Sequence, residues 1–332
     1  ELSVAPYDLA YGDDDKLVQA QAEDNVVVTE GEVWFHNRSG ARKSTGSYFT
    51  KPFAVEHLLQ SALKPALDSH LDEVKQLLDG GDEAGATHRL FDFRCADIAM
   101  GSGHFLVAAI DHIEAAFSRF LTEHPIAQVK AELLTLRQVA LEQLGELAGR
   151  YEIDPTQVLR RLIARHCIFG IDLNEVAVEL ARLAIWIHTF VPGLPLGFLD
   201  RNLICGNSLT GFGTLDEIYD HLGDGTLFGS HIQDRLAEAE TILQRMAILN
   251  DANSADVEAV RLAAREVDSL LEPVCNFLDL LGLSRAGLTE LDVALLVDLA
   301  DATESHREDQ HQQLVRELKP VHLPLSFPEV FA

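Results

Sequence analysis

The residue types best suited to chemistry cluster in three short stretches: Asp97-Ile98-Ala99-Met100-Gly101-Ser102-Gly103, Ile168-Phe169-Gly170-Ile171-Asp172 and Gly206-Asn207-Ser208. In the first, the run from Leu90 to Ile98 reads as a strand, the glycines as a turn, and Phe105 as the start of a helix. Gly101 and Gly103 let the backbone turn tightly and approach a ligand with no Cβ in the way. The amides that open the following helix can receive a negative group such as a carboxylate. Asp97, at the strand end, can accept from a ligand ammonium or from a nearby amide. A tight β–α turn without a ligand explains a lone Gly-x-Gly equally well. The third glycine of a dinucleotide fingerprint is absent, Leu106 standing in its place. The next strand-end acid, Asp172, lies far more than about 20 residues on, so a nicotinamide dinucleotide is disfavoured.

Asp172 ends a second apolar strand, where a carboxylate can accept both hydroxyls of a ribose. Capping the next helix is an equally good use of it. Asn207 follows a third strand, Leu203 to Cys205. It offers an amide to an adenine edge, and beside Gly206 it also makes an ordinary turn residue. Together, three strand ends carrying a glycine turn, an acid and an Asn fit a nucleoside lying along the edge of a sheet. Ligands of open α/β sheets bind at that edge.

The elements that must position these residues follow from periodicity and turn signals. Residues 26–36 read as a β-hairpin turning near Glu30-Gly31, and a loop rich in Gly, Ser, Arg and Lys follows. After Pro52 a helix runs to about Leu78 on Val55, Leu58, Leu59, Leu63, Leu67 and Leu71, and Asp79-Gly80-Gly81-Asp82 stops it. Helices are expected over 105–124, to about Arg165 with a break at Asp154-Pro155, and over 175–190. Beyond residue 214 the texture turns helical, with an antiparallel pair at 230–250 and 254–280 and a further helix over 288–318. Strands alternating with helices predict a parallel sheet with right-handed crossovers, hence an α/β fold.

Composition bounds the function. The 332 residues include 47% hydrophobic ones, enough for a substantial core, and carry a net charge of −27. Duplex binding needs clustered Lys and Arg, so phosphate contacts are not expected from this surface. Cys95, Cys167, Cys205 and Cys275 form no CxxC pair, and the histidines form no HxxxH or HxH pattern, so no metal site is expected. The most apolar stretch, Leu180 to Leu199, contains Arg182, His188 and two prolines, which fits a buried helix and loop and no membrane span. A cytoplasmic setting is the expectation.

On these residues the chain resembles the S-adenosylmethionine-dependent DNA adenine-N6 methyltransferases, in particular the large single-chain enzymes of restriction–modification and phage-defence systems. Their first motif, Asp-Pro-Ala-Cys-Gly-Ser-Gly-x-Phe-Leu, stands here as Asp97 to Leu106, with Ile98 and Met100 at the Pro and Cys positions. Arg42-Lys43-Ser44-Thr45-Gly46-Ser47-Tyr48-Phe49-Thr50 resembles the segment lying over the methionine end of the cofactor, with Lys51 where a proline is usual. Phe169 to Asn174 resembles the second motif, and Asn202 to Leu209 the third. The likeness runs over residues 37–210 and resumes over 323–331, where Leu325-Ser326-Phe327-Pro328-Glu329-Val330-Phe331 matches the run preceding the catalytic Asn-Pro-Pro-aromatic motif. That motif is absent from the sequence.

The resemblance implies a partial Rossmann-like methyltransferase sheet of three strands with a large helical insertion. The expected organisation is a hairpin and cofactor-lid segment (1–50), a cofactor-binding core (51–213), a helical insertion (214–322) and the start of a segment leading to the catalytic motif (323–332). It implies S-adenosyl-L-methionine held by Tyr48, Thr50, Asp97, Ala99, Met100, Gly101, Gly103, Phe105, Asp172, Leu173, Asn207 and Ser208. Asp172 would take the ribose, Leu173 would pack on adenine and Asn207 would meet the adenine amino group. No catalytic residue is expected in the chain, which reads as an excerpt of a longer polypeptide; an N-terminally processed protein is the alternative. DNA would be met mostly through regions outside it, and self-association would use the free sheet edge or the helical insertion. Methylation of RNA or protein amides, and a non-catalytic acidic scaffold of the same fold, are the competing readings.

Overall fold

The computed structural model describes residues 2–4, 7–11, 17–21, 26–35, 50–196, 199–222, 227–248, 252–290, 299–307 and 309–331. The chain divides into two compact units, Glu1–Tyr48 and Phe49–Ala332.

In the first unit, β1 (Leu2–Val4) pairs antiparallel with β4 (Val33–Phe35), and β2 (Leu9–Tyr11) with β3 (Leu17–Gln19). The expected 26–36 hairpin is therefore corrected. Its turn exists: Gly31 has a φ of 85°, and the Glu32 amide donates to the Thr29 carbonyl at 3.1 Å. Its arms pair elsewhere, Val28 bridging to Leu9 and Val33–Phe35 lying along β1. A Glu-Gly turn reverses the chain without choosing partners for its arms, and the apolar segments at Leu2–Val4 and Leu9 supply them.

The second unit opens with α1 (Pro52–Leu58), a π-helical turn (Leu59–Leu63) and α2 (Lys64–Asp79). Pro52 starts α1 because its missing N–H would lack a partner there anyway. Val55, Leu59, Leu63, Leu67 and Val74 are buried, whereas Leu58 faces outward. Asp82 caps α3 (Glu83–Leu90) by accepting the Gly85 amide at 2.8 Å. That helix corrects the expected strand over 90–98, of which only β5 (Cys95–Asp97) is extended. The Arg94 guanidinium donates to the carbonyls of Phe91 (2.6 Å) and His166 (2.9 Å), tying up groups that a longer ladder would use.

Next come α4 (His104–Glu123), α5 (Ala127–Leu144), α6 (Pro155–Cys167), β6 (Ile168–Asp172), α7 (Glu175–His188) and β7 (Leu203–Cys205). Asp154 caps α6 in a reciprocal capping box with Gln157. The three strands form a parallel sheet in the order β5-β6-β7, with Asp97 opposite Gly170 and Asp172 opposite Cys205. The fold is α/β, as expected: a small Rossmann-like parallel sheet within a mostly helical chain. One face of the sheet carries Ile168 and Leu203 into a core with Leu106 and Ile110 of α4 and Ala181 and Ile185 of α7.

The insertion contains α8 (Leu215–Leu222), α9 (Leu227–Ile248), α10 (Ser254–Arg285), α11 (Leu299–His306) and α12 (Asp309–Leu318). α9 and α10 form the expected antiparallel pair around Ile232, Leu236, Ile242, Val267, Val274 and Leu278. Among the described residues the single helix expected over 288–318 is corrected, since α11 and α12 are separate. α10 runs on to Arg285 and closes at Gly287 (φ 66°), where the Leu288 amide returns to the Leu283 carbonyl at 3.0 Å. Residues 291–298 of that expected helix lie outside the described residues.

Two short helices, α13 (Leu323–Ser326) and α14 (Pro328–Phe331), then cover the second face of the sheet. Phe327 meets Phe169 edge-on with ring centroids 5.3 Å apart, and Val321 and Leu323 pack on the same cluster as Ile171. Among the described residues no helix is long and apolar enough to cross a membrane, and no group of His, Cys, Asp and Glu could hold a metal ion.

Candidate functional site

The carboxyl ends of β5, β6 and β7 are tied into one cradle. The Met100 amide donates to the Ile171 carbonyl at 2.9 Å, and the Gly101 amide to the Asp172 carboxylate at 2.8 Å. The Gly206 amide reaches the Asp172 carbonyl at 2.9 Å, and the Ser208 hydroxyl the Ile98 carbonyl at 2.9 Å. Asp97, Met100, Gly101, Asp172 and Ser208, distant in sequence, thus share one connected site.

Each glycine of the turn has its own reason. Gly101 has a φ of 56° and open space where a Cβ would stand, so backbone conformation alone requires it. Gly103 has a φ of 77°, and a Cβ there would lie 3.0 Å from the Ala181 Cβ. That glycine lets α4 begin hard against α7. Met100 is buried under the turn, beside Gly170, where an added Cβ would run into its sulfur.

The N-terminus of α4 carries no side-chain cap. The amides of His104, Phe105 and Leu106 are helix-opening donors, able to hold a carboxylate. Phe105 is half-buried against the main core and Ala99 is exposed. Negative charge gathers nearby, from Asp97 and Asp172. The Asp97 carboxyl is pushed above the usual range, chiefly by burial and also by the Asp172 charge, against a lowering hydrogen bond from the Ala99 amide at 3.0 Å. Two carboxyl groups at neighbouring strand ends favour a cationic ligand group between them. Leu173, 45% exposed beside Asp172, offers an apolar surface at the same tip.

Asp172 does not cap α7. Asn174 does, accepting the Val176 amide at 3.1 Å, while Asp172 accepts the Asn174 amide at 2.8 Å. Two amides therefore orient the Asp172 carboxylate, and its other lone pairs can still accept hydroxyls. The Asn207 side chain accepts the Leu209 amide at 3.0 Å, and its backbone amide donates to the Lys319 carbonyl at 2.7 Å. The turn role weighed for Asn207 is thus present. Thr50, exposed just before α1, makes no hydrogen bond to the strand-end loops among the described residues. Tyr48 lies outside the described residues.

One contributor is not visible in the sequence. Lys319 takes a left-handed conformation (φ 47°) directly before Pro320, and Pro320 bridges to Asn207. No spacing or motif marks this segment, because the contact joins residue 207 to positions more than a hundred residues away.

Over 203 residues the chain is 22% identical to a protein of Methanocaldococcus jannaschii named "Putative type II restriction enzyme and methyltransferase". The match takes in 52% of this chain and 15% of that protein, so the chain spans a small part of its relative's length. No protein-family model and no solved structure matches the chain. The relationship is distant and supports a methyltransferase-related chain at that coarse level.

Proposed function

We propose that the chain is the S-adenosylmethionine-binding portion of a DNA adenine-N6 methyltransferase of restriction–modification or phage-defence type. The observation that carries this reading is the Gly101 amide on the Asp172 carboxylate, which locks the glycine turn of one strand to the acid of the next. The residues fit the cofactor. The uncapped start of α4 suits its carboxylate, the Asp97 side its ammonium, Asp172 its ribose hydroxyls and the exposed Leu173 its adenine ring. In this reading Ala99, Met100, Gly101 and Gly103 shape the wall along the cofactor, with Phe105 behind it. Asn207 and Ser208 form the adenine end, and the resemblance assigns Tyr48 and Thr50 to the methionine end.

When bound, the cofactor supplies an electrophilic methyl on sulfur. The chain's own residues orient it and hold it by preorganised donors, which is where most of the rate in such transfers originates. An extruded adenine must also be gripped through its amino group. The sequence contains no Asn-Pro-Pro-aromatic run for that task, so the chain alone binds cofactor without transferring methyl groups. DNA as substrate follows the resemblance and the relative's name.

Calorimetric titration with S-adenosylmethionine tests the reading. One saturable site is expected, weakened at least about tenfold in Asp172→Ala, which loses hydrogen bonds to a charged acceptor. No uptake by the folded chain would leave the non-catalytic scaffold standing. Radiolabel transfer to adenine-containing DNA by the chain alone would contradict the assignment of base-gripping to residues elsewhere.

A further inference from the structure

The loop that carries Asn207 rests on a segment from the far side of the helical insertion. The Asn207 amide donates to the Lys319 carbonyl at 2.7 Å, and Pro320 bridges to Asn207 in the parallel sense. The Thr210 hydroxyl donates to the Leu318 carbonyl at 3.1 Å, and the Leu323 amide to the Phe212 carbonyl at 2.9 Å. Residues 206–212 and 318–323 therefore run side by side. Glycine permits the approach, because a Cβ at Gly206 would meet the Val321 side chain and one at Gly211 the Val321 carbonyl.

The insertion holds that segment through one buried side chain. His322, 4% exposed, donates from Nε2 to one Asp279 oxygen at 3.0 Å, and His306 reaches the other oxygen at 2.9 Å. The His322 ring also lies against Phe212, with centroids 5.6 Å apart, and Phe212 belongs to the same buried cluster as Ile218, Ile232 and Phe277. Asp279 and Phe277 stand on α10 and His306 ends α11, so two helices of the insertion fix the place of His322. Only Pro320 and Val321 separate His322 from Lys319, whose carbonyl holds Asn207.

The Asn207 side chain is half committed already. Its Oδ1 accepts the Leu209 amide at 3.0 Å, which orients the oxygen and leaves a second lone pair. In the cofactor reading above, on which this inference rests, that lone pair meets the adenine amino group. A site that accepts a hydrogen from an amino group rejects a carbonyl oxygen in its place only while the acceptor is held in position. We propose that His322 is a positioning residue that sets the preference of the cradle for adenine, with Asp279 of the insertion holding it.

The test compares, by calorimetry, the affinity of the chain for S-adenosylmethionine and for S-inosylmethionine, in which a carbonyl oxygen replaces the adenine amino group. The wild type should favour the adenine form at least about tenfold, since the analogue sets two acceptors against each other. His322→Phe keeps a ring against Phe212 and loses the donor to Asp279, so the preference should fall at least about fivefold. His322→Gln keeps an N–H donor and should recover most of it. Both ligands bind only the folded chain, so lost stability weakens both affinities equally and leaves their ratio unchanged. The ratio thus reads position and not stability. Equal binding of the two ligands by the wild type overturns the proposal, as does an unchanged ratio in His322→Phe or no recovery in His322→Gln. If His322→Phe does not fold, Asp279→Asn takes its place, with an expected drop of at least about threefold, and an unchanged ratio there is equally fatal. Uptake of neither ligand by the folded wild type overturns the cofactor reading and this inference with it. Saturable uptake with a ratio that no variant moves overturns this inference alone.

Discussion

The two faces of the three-stranded sheet are buried by different kinds of chain. One is covered by α4 and α7, the crossover helices that follow β5 and β6 directly, through Leu106, Ile110, Ala181 and Ile185. The other is covered by a short segment from the far end of the sequence, through Val321, Leu323 and Phe327 on Phe169 and Ile171. The first face is local and carries the cradle, because the same helices start at the glycine turn and at Asn174. The second is held from a distance, and its anchor at Asn207–Pro320 reaches back into the cradle. The candidate site at the end of the parallel sheet thus depends on both a nearby and a remote layer.

Substitutions on each side sharpen that contrast. The largest loss is expected on the remote face. Phe327→Ala removes a fully buried ring stacked edge-on against Phe169 and should cost about 3–5 kcal/mol by urea unfolding. A negligible change would mean that the terminal helices do not close that face.

The clamp holding the remote segment comes next. Asp279 accepts from His306 at 2.9 Å and from His322 at 3.0 Å. Burial alone would raise its carboxyl, but the hydrogen bonds from His306 and His322 together with their charges outweigh burial and hold it below its ordinary value. A depressed carboxyl contributes stability above its unfolded value near 3.8, and that contribution disappears as pH falls through the depressed value. Asp279→Asn should therefore cost about 1.5–3 kcal/mol at neutral pH and less in acid. An equal cost at both ends of the pH range would show that charge plays no part in the clamp.

On the local face, Gly170→Ala places a Cβ against the Met100 sulfur and 2.9 Å from a Leu106 methyl. The cost should be about 1–3 kcal/mol, with weaker cofactor binding because Met100 underlies the turn. Unchanged binding would separate the core beneath the cradle from the cradle itself.

The smallest effect has the opposite sign. The raised Asp97 carboxyl contributes stability when protonated, and that contribution is lost as pH rises through its folded value, so the ionised form costs stability at neutral pH. Asp97→Asn keeps an acceptor for the Ala99 amide and should raise the unfolding free energy slightly, by less than about 1 kcal/mol after solvent screening. Cofactor affinity should fall. Lower stability in the variant would contradict the charge argument.

Much of the local side could be read from the sequence. The strand ends, the glycine turn, Asp172 and the antiparallel pair α9–α10 follow from patterns within a few dozen residues. The failures share a cause, which is competition from groups outside the pattern. The Asp82 cap drew residues 83–90 into a helix, and Arg94 captured the carbonyls on either side of β5. Partners at Leu2–Val4 and Leu9 took the arms of the 26–36 turn. The Leu325 to Phe331 run could be matched as a motif, yet no periodicity in it foretold that its Phe327 would pack on β6. Tyr48, expected in the lid, falls outside the described residues.

Hydrogen exchange with and without S-adenosylmethionine tests the central claim most directly, that three strand ends form one cofactor cradle. Amides of residues 99–106, 172–174 and 206–209 should slow together on addition of cofactor, while those of α10 (Ser254–Arg285) should not change. Protection confined to one of the three stretches, or centred on α9 and α10, would contradict it.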